Sequence, residues 1–120
     1  MIKLVFCCRR RPELGREEFQ RYWLDRHGPL VRSVRAAIPG MRRYVQSHTL
    51  ETPANDALRA SRGSAEPYDG ITEVWFDDLS ALGATTEAAG AAARRLLEDE
   101  ARFINLARSS VFLTVEHEIF

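Results

Sequence analysis

Only two cysteines occur in this chain, and they are neighbours, Cys7 and Cys8. On a strand, adjacent side chains point to opposite faces, so geometry works against a bond between them. There is no second cysteine pair for a zinc site, and neither H-x-x-x-H nor a His-Glu ligand spacing appears, so no metal is expected. A glycine-rich phosphate loop, a haem motif and a flavin signature are all missing, and no cofactor is expected. An excess of one charge is missing too: 17 Lys and Arg balance 17 Asp and Glu. That balance removes the electrostatic case for a nucleic-acid or anionic-membrane binder. No apolar run approaches the length of a membrane span. Met1-Ile2-Lys3 leads into a short apolar run that meets Arg9-Arg10-Arg11, without a secretory signal pattern. A cytoplasmic protein is the expectation.

The composition that remains is that of an ordinary globular protein, with 45% apolar and 28% charged residues over 120 positions. One domain, residues 1–120, with one core is expected. Residues 2 to 9 read as a strand in which Ile2, Leu4, Phe6 and Cys8 alternate with Lys3, Val5, Cys7 and Arg9. Gly15 stands at an N-cap position, and Glu17 and Glu18 suit the first turn of a helix running to Ala37. Phe19, Trp23, His27, Leu30, Val31, Val34 and Ile38 recur by threes and fours along it. Pro29 has no N–H for the carbonyl of Asp25, so the spacing predicts a kink at His27-Gly28 and a carbonyl seeking another partner.

Residues 41 to 49 read as a second strand, with Tyr44, Gln46 and His48 on one face. Residues 50 to 68 are polar and lack a period, which predicts a long loop. Residues 71 to 77 form a third strand, with Ile71, Glu73 and Trp75 opposite Thr72, Val74 and Phe76. Residues 79 to 106 read as a helix interrupted at Gly83 and Thr85-Thr86, and residues 111 to 118 as a last strand. This βαββαβ order predicts a ferredoxin-like α+β sandwich, a four-stranded antiparallel sheet with two helices on one face. The bare face would expose too many apolar residues. A second copy packed sheet to sheet, a homodimer forming an α+β barrel, is the expected cover.

His27 is the residue on which function turns. An imidazole on the apolar side of a helix is either a neutral group bonded to the carbonyl that Pro29 frees, or the working base of a pocket. Near neutral pH such a group can take a proton from carbon or oxygen and return it elsewhere. Tyr22 and Tyr44 can donate hydrogen bonds to a developing oxyanion, or can sit as core-edge residues with wet hydroxyls. Trp23 and Trp75 fit the core by their periodicity and can also form pocket walls. Glu73 lies mid-strand among apolar neighbours and needs a partner there, an arginine or His27. Cys7 and Cys8 fit burial in the first strand better than nucleophilic work.

Several pieces together resemble the EthD family: Glu18-Phe19, Tyr22-Trp23, His27-Gly28-Pro29-Leu30-Val31, Pro39-Gly40, residues 68 to 77 (YDGITEVWFD), and Asp99-Glu100-Ala101-Arg102-Phe103. The likeness spans nearly the whole chain. It implies a dimeric α+β barrel, a fold shared with cofactor-free monooxygenases and muconolactone isomerases. Proteins similar to EthD include accessory factors of ether degradation and fungal polyketide decarboxylases or dehydratases. In a related lactone isomerase, a histidine matching His27 and a strand tyrosine matching Tyr44 do the chemistry. The chain departs from the pattern in its long stretch from 50 to 66 and in Asn105, where an aspartate is frequent.

The expectation is therefore a small cofactor-independent enzyme of the EthD type, an oxidoreductase, isomerase or lyase. It would act on an apolar oxygenated molecule such as a lactone, phenol, quinone or polyketide. His27 and Tyr44 are the catalytic candidates, and Tyr22, Trp23, Glu73 and Trp75 the substrate-binding ones. The alternative is a non-catalytic dimeric accessory or small-molecule-binding protein that uses the same pocket.

Overall fold

In the computed structural model, which describes residues 1–83 and 86–120, strand β1 (Ile2–Cys8) forms the centre of the fold. It pairs antiparallel with β3 (Gly70–Phe76) on one side and with β4 (Ser110–Thr114) on the other, and β2 (Met41–His48) flanks β3. The order β2-β3-β1-β4 is that of the predicted ferredoxin-like sheet. Register fixes the faces: Leu4 lies opposite Val74 and Leu113, and Phe6 opposite Thr72 and Val111. These residues face the helices, while Lys3, Val5 and Cys7 face away with Ile71, Glu73 and Trp75.

The predicted helix from 16 to 37 is continuous but not uniform. It comprises α1 (Arg16–Tyr22), a π-helical turn (Trp23–His27), α2 (Gly28–Val34) and a 3-10 turn (Arg35–Ala37). The disturbance predicted from Pro29 takes the form of that wide turn. Gly28 N–H reaches back five residues to the carbonyl of Trp23, which also accepts a 2.9 Å bond from Gln46 Nε2. Single π turns of this kind concentrate at functional sites. Phe19, Trp23, His27, Val31 and Val34 are buried along this element, the stripe that the spacing marked.

Residues 50 to 68 do not form the predicted loop. Pro53–Arg62 is a helix, α3, with Thr52 accepting the Ala54 N–H as N-cap and Gly63 closing it at φ 57°. None of its residues is buried, and its apolar side consists of small alanines with Leu58 alone, too little to read as a core-facing stripe. A 3-10 turn (Leu79–Leu82) capped by Asp78 precedes α4 (Glu87–Phe103), whose N-cap Thr86 accepts the Ala89 N–H at 3.0 Å. The predicted interruption thus falls near Gly83 and Thr86; Thr85 lies outside the described residues. β4 stops at Thr114, earlier than predicted, and residues 115–120 continue without regular structure, with Ile119 and Phe120 exposed.

Two apolar clusters fill the space between helices and sheet. Cys8, Phe19, Trp23, Phe103 and Ile104 form one; Val31, Met41, Val74 and Phe76 form the other. Each fully buried large side chain contributes about 1.5–3 kcal/mol. Gly70 is required by the first cluster. A Cβ there would overlap the Trp23 ring and stand 2.8 Å from the Ser47 carbonyl oxygen. Gly70→Ala is therefore expected to lower stability by about 1–3 kcal/mol in urea denaturation. An unchanged midpoint would show that the indole can move aside freely.

Candidate active site

The π turn and α4 place an acid–base pair between them. His27 is 4% exposed, and its Nδ1 lies 2.8 Å from Asp99 Oδ2. Asp99 is held from its other side, where the Tyr22 hydroxyl donates to Oδ1 at 2.6 Å. Phe103 packs against both rings, with centroids 5.2 Å from His27 and 5.0 Å from Tyr22. An ionised Asp99 selects the tautomer in which Nδ1 carries the proton, which leaves the Nε2 lone pair free. Nε2 has no hydrogen-bond partner among the described residues, yet it is not sealed from solvent. Burial lowers the His27 pKa and the Asp99 contact partly offsets this; the net direction is down, so the ring is neutral at pH 7.

His27 borders a cavity of about 420 Å³ between the sheet and the helices. Leu4, Phe6, Val74 and Phe76 form its floor, Val31 and Met41 one wall, and Leu96 and Leu97 the other. Leu97, Leu106 and Val111 line it while more than a third exposed, which marks where it meets solvent. The polar groups on it are few: His27, Tyr44, Thr72, Glu100, Ser109 and the indole of Trp23.

Tyr44 lines this cavity from β2 and accepts a 3.1 Å bond from Gln46 Nε2, which leaves its own proton to give. Burial is the main cause raising its pKa, so the hydroxyl stays protonated as a donor. Trp23 is also on the wall, stacked on His48 at 4.6 Å and 10°. Its indole N–H is buried and has no acceptor among the described residues. An unmet buried donor is costly, and an acceptor atom on a bound molecule would satisfy it.

Three of the six residues singled out in the sequence lie elsewhere. Tyr22 does not line the cavity; its hydroxyl is spent on Asp99, behind His27. Glu73 and Trp75 point to the opposite face of the sheet because they alternate with Thr72 and Val74. There Glu73 takes neither arginine nor His27 as partner but Lys3, at 2.7 Å, and the Trp75 indole N–H donates to Glu116 at 2.5 Å. Cys8 is fully buried and its thiol is pushed up to about 12 by desolvation, a structural and unreactive cysteine. Among the described residues, no group of three or more His, Cys, Asp and Glu side chains is placed to hold a metal, and no helix is long and apolar enough to cross a membrane.

Sequence reasoning missed Asp99, Glu100 and Gln46. A signal for the first two was present. They fall at the C-terminal end of a helix, Glu100 in its last turn and Asp99 just before it, where the macrodipole disfavours negative charge, so two adjacent acids there call for a local reason. Gln46 carried no such signal, since a polar residue on a strand is ordinary.

The geometry can be set beside known proteins. No curated protein matches the chain in sequence. Among solved structures, it is similar to an ethyl tert-butyl ether D (EthD) family protein from Bacillus halodurans C-125, at 20% identity and a TM-score of 0.62, covering 98% of this chain and 99% of that one. A dimeric ferredoxin-like protein of unknown function from Thermobifida fusca YX aligns at 15% identity and 0.61, covering 96% of this chain and 90% of that one. A dimeric protein of unknown function with a ferredoxin-like fold from Bacteroides fragilis NCTC 9343 gives 14% and 0.59, covering 96% and 95%. At these identities the likeness speaks for the fold, which agrees with the sheet order found here. The EthD domain matches residues 11–107, a span that takes in His27, Tyr44 and Asp99 alike, and on that match the chain belongs to the EthD family.

Proposed function

We propose that this protein is a cofactor-independent proton-transfer enzyme that acts on a small apolar, oxygenated molecule held in the 420 Å³ cavity. The observation that carries this reading is the His27–Asp99 contact at 2.8 Å, which leaves Nε2 without a partner among the described residues on a ring that lines the cavity. A neutral imidazole in an apolar site is a competent base, and the aspartate both orients it and stabilises the imidazolium once formed. Tyr44 and the Trp23 indole supply hydrogen-bond donors for the oxygen on which charge develops. Tyr22 acts through Asp99 as a positioning residue.

In the same proposal the working unit is a homodimer. Ile71 and Phe112 lie exposed on the sheet face away from the helices, beside half-buried Val5 and Val45. A second sheet would cover this face, as the two neighbours described as dimeric suggest by analogy.

The test uses 5-nitrobenzisoxazole, a flat neutral probe of general bases. A base removes the proton from C3, the N–O bond breaks, and a coloured nitrophenolate is released. The protein is expected to accelerate this over buffer by about a hundredfold or more, and His27→Ala to remove the acceleration while keeping the fold. Because its pKa is lowered, the His27-dependent rate should increase with pH and reach its half-maximum below pH 6.5. Binding of the probe with no acceleration would favour the accessory or carrier reading instead.

A further inference from the structure

We infer that Glu100 is a second acid–base group of this cavity, and that the natural ligand is a neutral carbonyl compound with an acidic C–H. His27 takes the proton from carbon as Glu100 hands one to the carbonyl oxygen. This rests on the proposed role of His27 and names the chemistry that role serves.

Four observations carry it. Glu100 lines the same cavity as His27, reaching it from the last turn of α4 while the preceding residue, Asp99, turns to the imidazole. Its carboxyl takes no hydrogen bond and no ion pair from the described residues, so nothing in the fold uses it. Most of the cavity it lines is apolar, Phe6, Leu97 and Ile104 among its walls, and an idle carboxylate is unfavourable in such a setting. No lysine or arginine lines the cavity among the described residues, which leaves nothing to hold a carboxylate or phosphate on the ligand. The charged or titratable neighbours coupled to Glu100 are Asp99 on its own helix and Cys8 on β1, and His27 on the π turn shares the cavity lining with it. None is a permanent cation. In keeping with this, desolvation and then the Asp99 charge push the Glu100 carboxyl up to about 7, so it carries a proton much of the time near neutral pH.

The step balances without any further reactant. The C–H bond breaks and its proton goes to His27 Nε2; the electron pair forms the C=C bond of an enol; the carbonyl oxygen gains the Glu100 proton. Reversal at the same or a conjugated carbon returns both groups to their starting states. Base and acid acting together avoid a free enolate in an apolar site, where it would be poorly solvated.

The probe for this is 2-tetralone, a neutral bicyclic ketone, with deuterium exchange at C1 in D2O followed by proton NMR and binding followed by saturation transfer. Wild-type protein is expected to bind it and to exchange it faster than buffer, and His27→Ala to exchange at the buffer rate. Glu100→Met, close in volume but unable to give a proton, should bind within about threefold and exchange about a hundredfold more slowly than wild type. Glu100→Gln should fall between, because its amide still donates a hydrogen bond. Wild-type exchange by Glu100→Met, with His27→Ala silent, overturns the role of Glu100 and leaves the His27 reading standing. Wild-type exchange by His27→Ala overturns both. A wild-type protein that fails to bind the ketone, or binds it without exchange, overturns the ligand class. Should Glu100→Met not fold, wild-type exchange by Glu100→Gln is enough to overturn the role.

Discussion

Asp69→Ala should lower stability by about 3 kcal/mol, the lower end of the range for breaking a buried ion pair. Asp69 is 6% exposed and fastens four segments at one end of the sheet. Its Oδ2 accepts the Arg10 backbone N–H at 2.8 Å, and its Oδ1 accepts Arg16 Nε at 2.9 Å. Arg10 Nε stands 3.3 Å from the same Oδ1, close enough for charge attraction but not aligned for a hydrogen bond. The Asp69 backbone bonds Cys8 and Thr49, and Gln20 spans the carbonyls of Thr49 and Asp69. Alanine strands the Arg10 N–H and leaves Arg16 with Glu51 alone, a pair at 2.7 Å on the wet side. The remaining partner and water access hold the loss to that lower end. Urea denaturation of Asp69→Ala and Asp69→Asn measures it. A loss under about 1 kcal/mol in alanine would place the cluster with ordinary surface pairs.

Glu100→Gln should gain on the wild type by up to about 3 kcal/mol as pH rises from 4 to 8. The unfolded carboxyl ionises at its ordinary 4.5 and the folded one at about 7. Between those values the native state holds the extra proton, so stability is full below 4.5 and is lost as pH climbs through 7. Glutamine does not titrate and escapes that loss. His27 slopes the other way. Its folded pKa is lowered, so the unfolded chain binds protons first and stability falls as pH drops below 6.5. Wild type is thus pulled down from both sides, and Glu100→Gln keeps only the acid limb. Unfolding free energies across this pH range for both proteins decide it; parallel curves would mean that the carboxyl is well solvated. A group that weakens the fold at working pH marks a place where function has been kept against stability.

Much of the architecture was readable from the residues because burial imposes a period. The stripe Phe19, Trp23, His27, Val31 and the alternation in β1 and β3 are both signatures of one buried face. α3 was unreadable for the opposite reason, since it buries nothing. The site was half legible. His27 stands out as the polar member of an apolar stripe, and Tyr44 shares a face with Gln46. Glu73 and Trp75 were assigned to the wrong side because a strand with apolar residues on both faces does not say which one meets the helices. Asp99 could not be paired with His27 from sequence, since 72 positions separate them and only the packing of α4 on the π turn joins them. The Asp69-Gly70 pair, noticeable as a motif, proves to be scaffold: one residue bolts the sheet end and the other makes room for the indole.

The wide turn at Trp23–His27 takes up one residue more than an α-helical turn would. The surplus is absorbed inside the turn, so the segments on either side keep the alignment of one straight helix, and Phe19 and Trp23 before it and Val31 and Val34 after it all end in the core. A related chain one residue shorter between Trp23 and Val31 would close the turn to plain α-helix with both halves still facing inward. A one-residue difference in length across this stretch is therefore compatible with the same fold, and what it alters is the local backbone from which the imidazole springs.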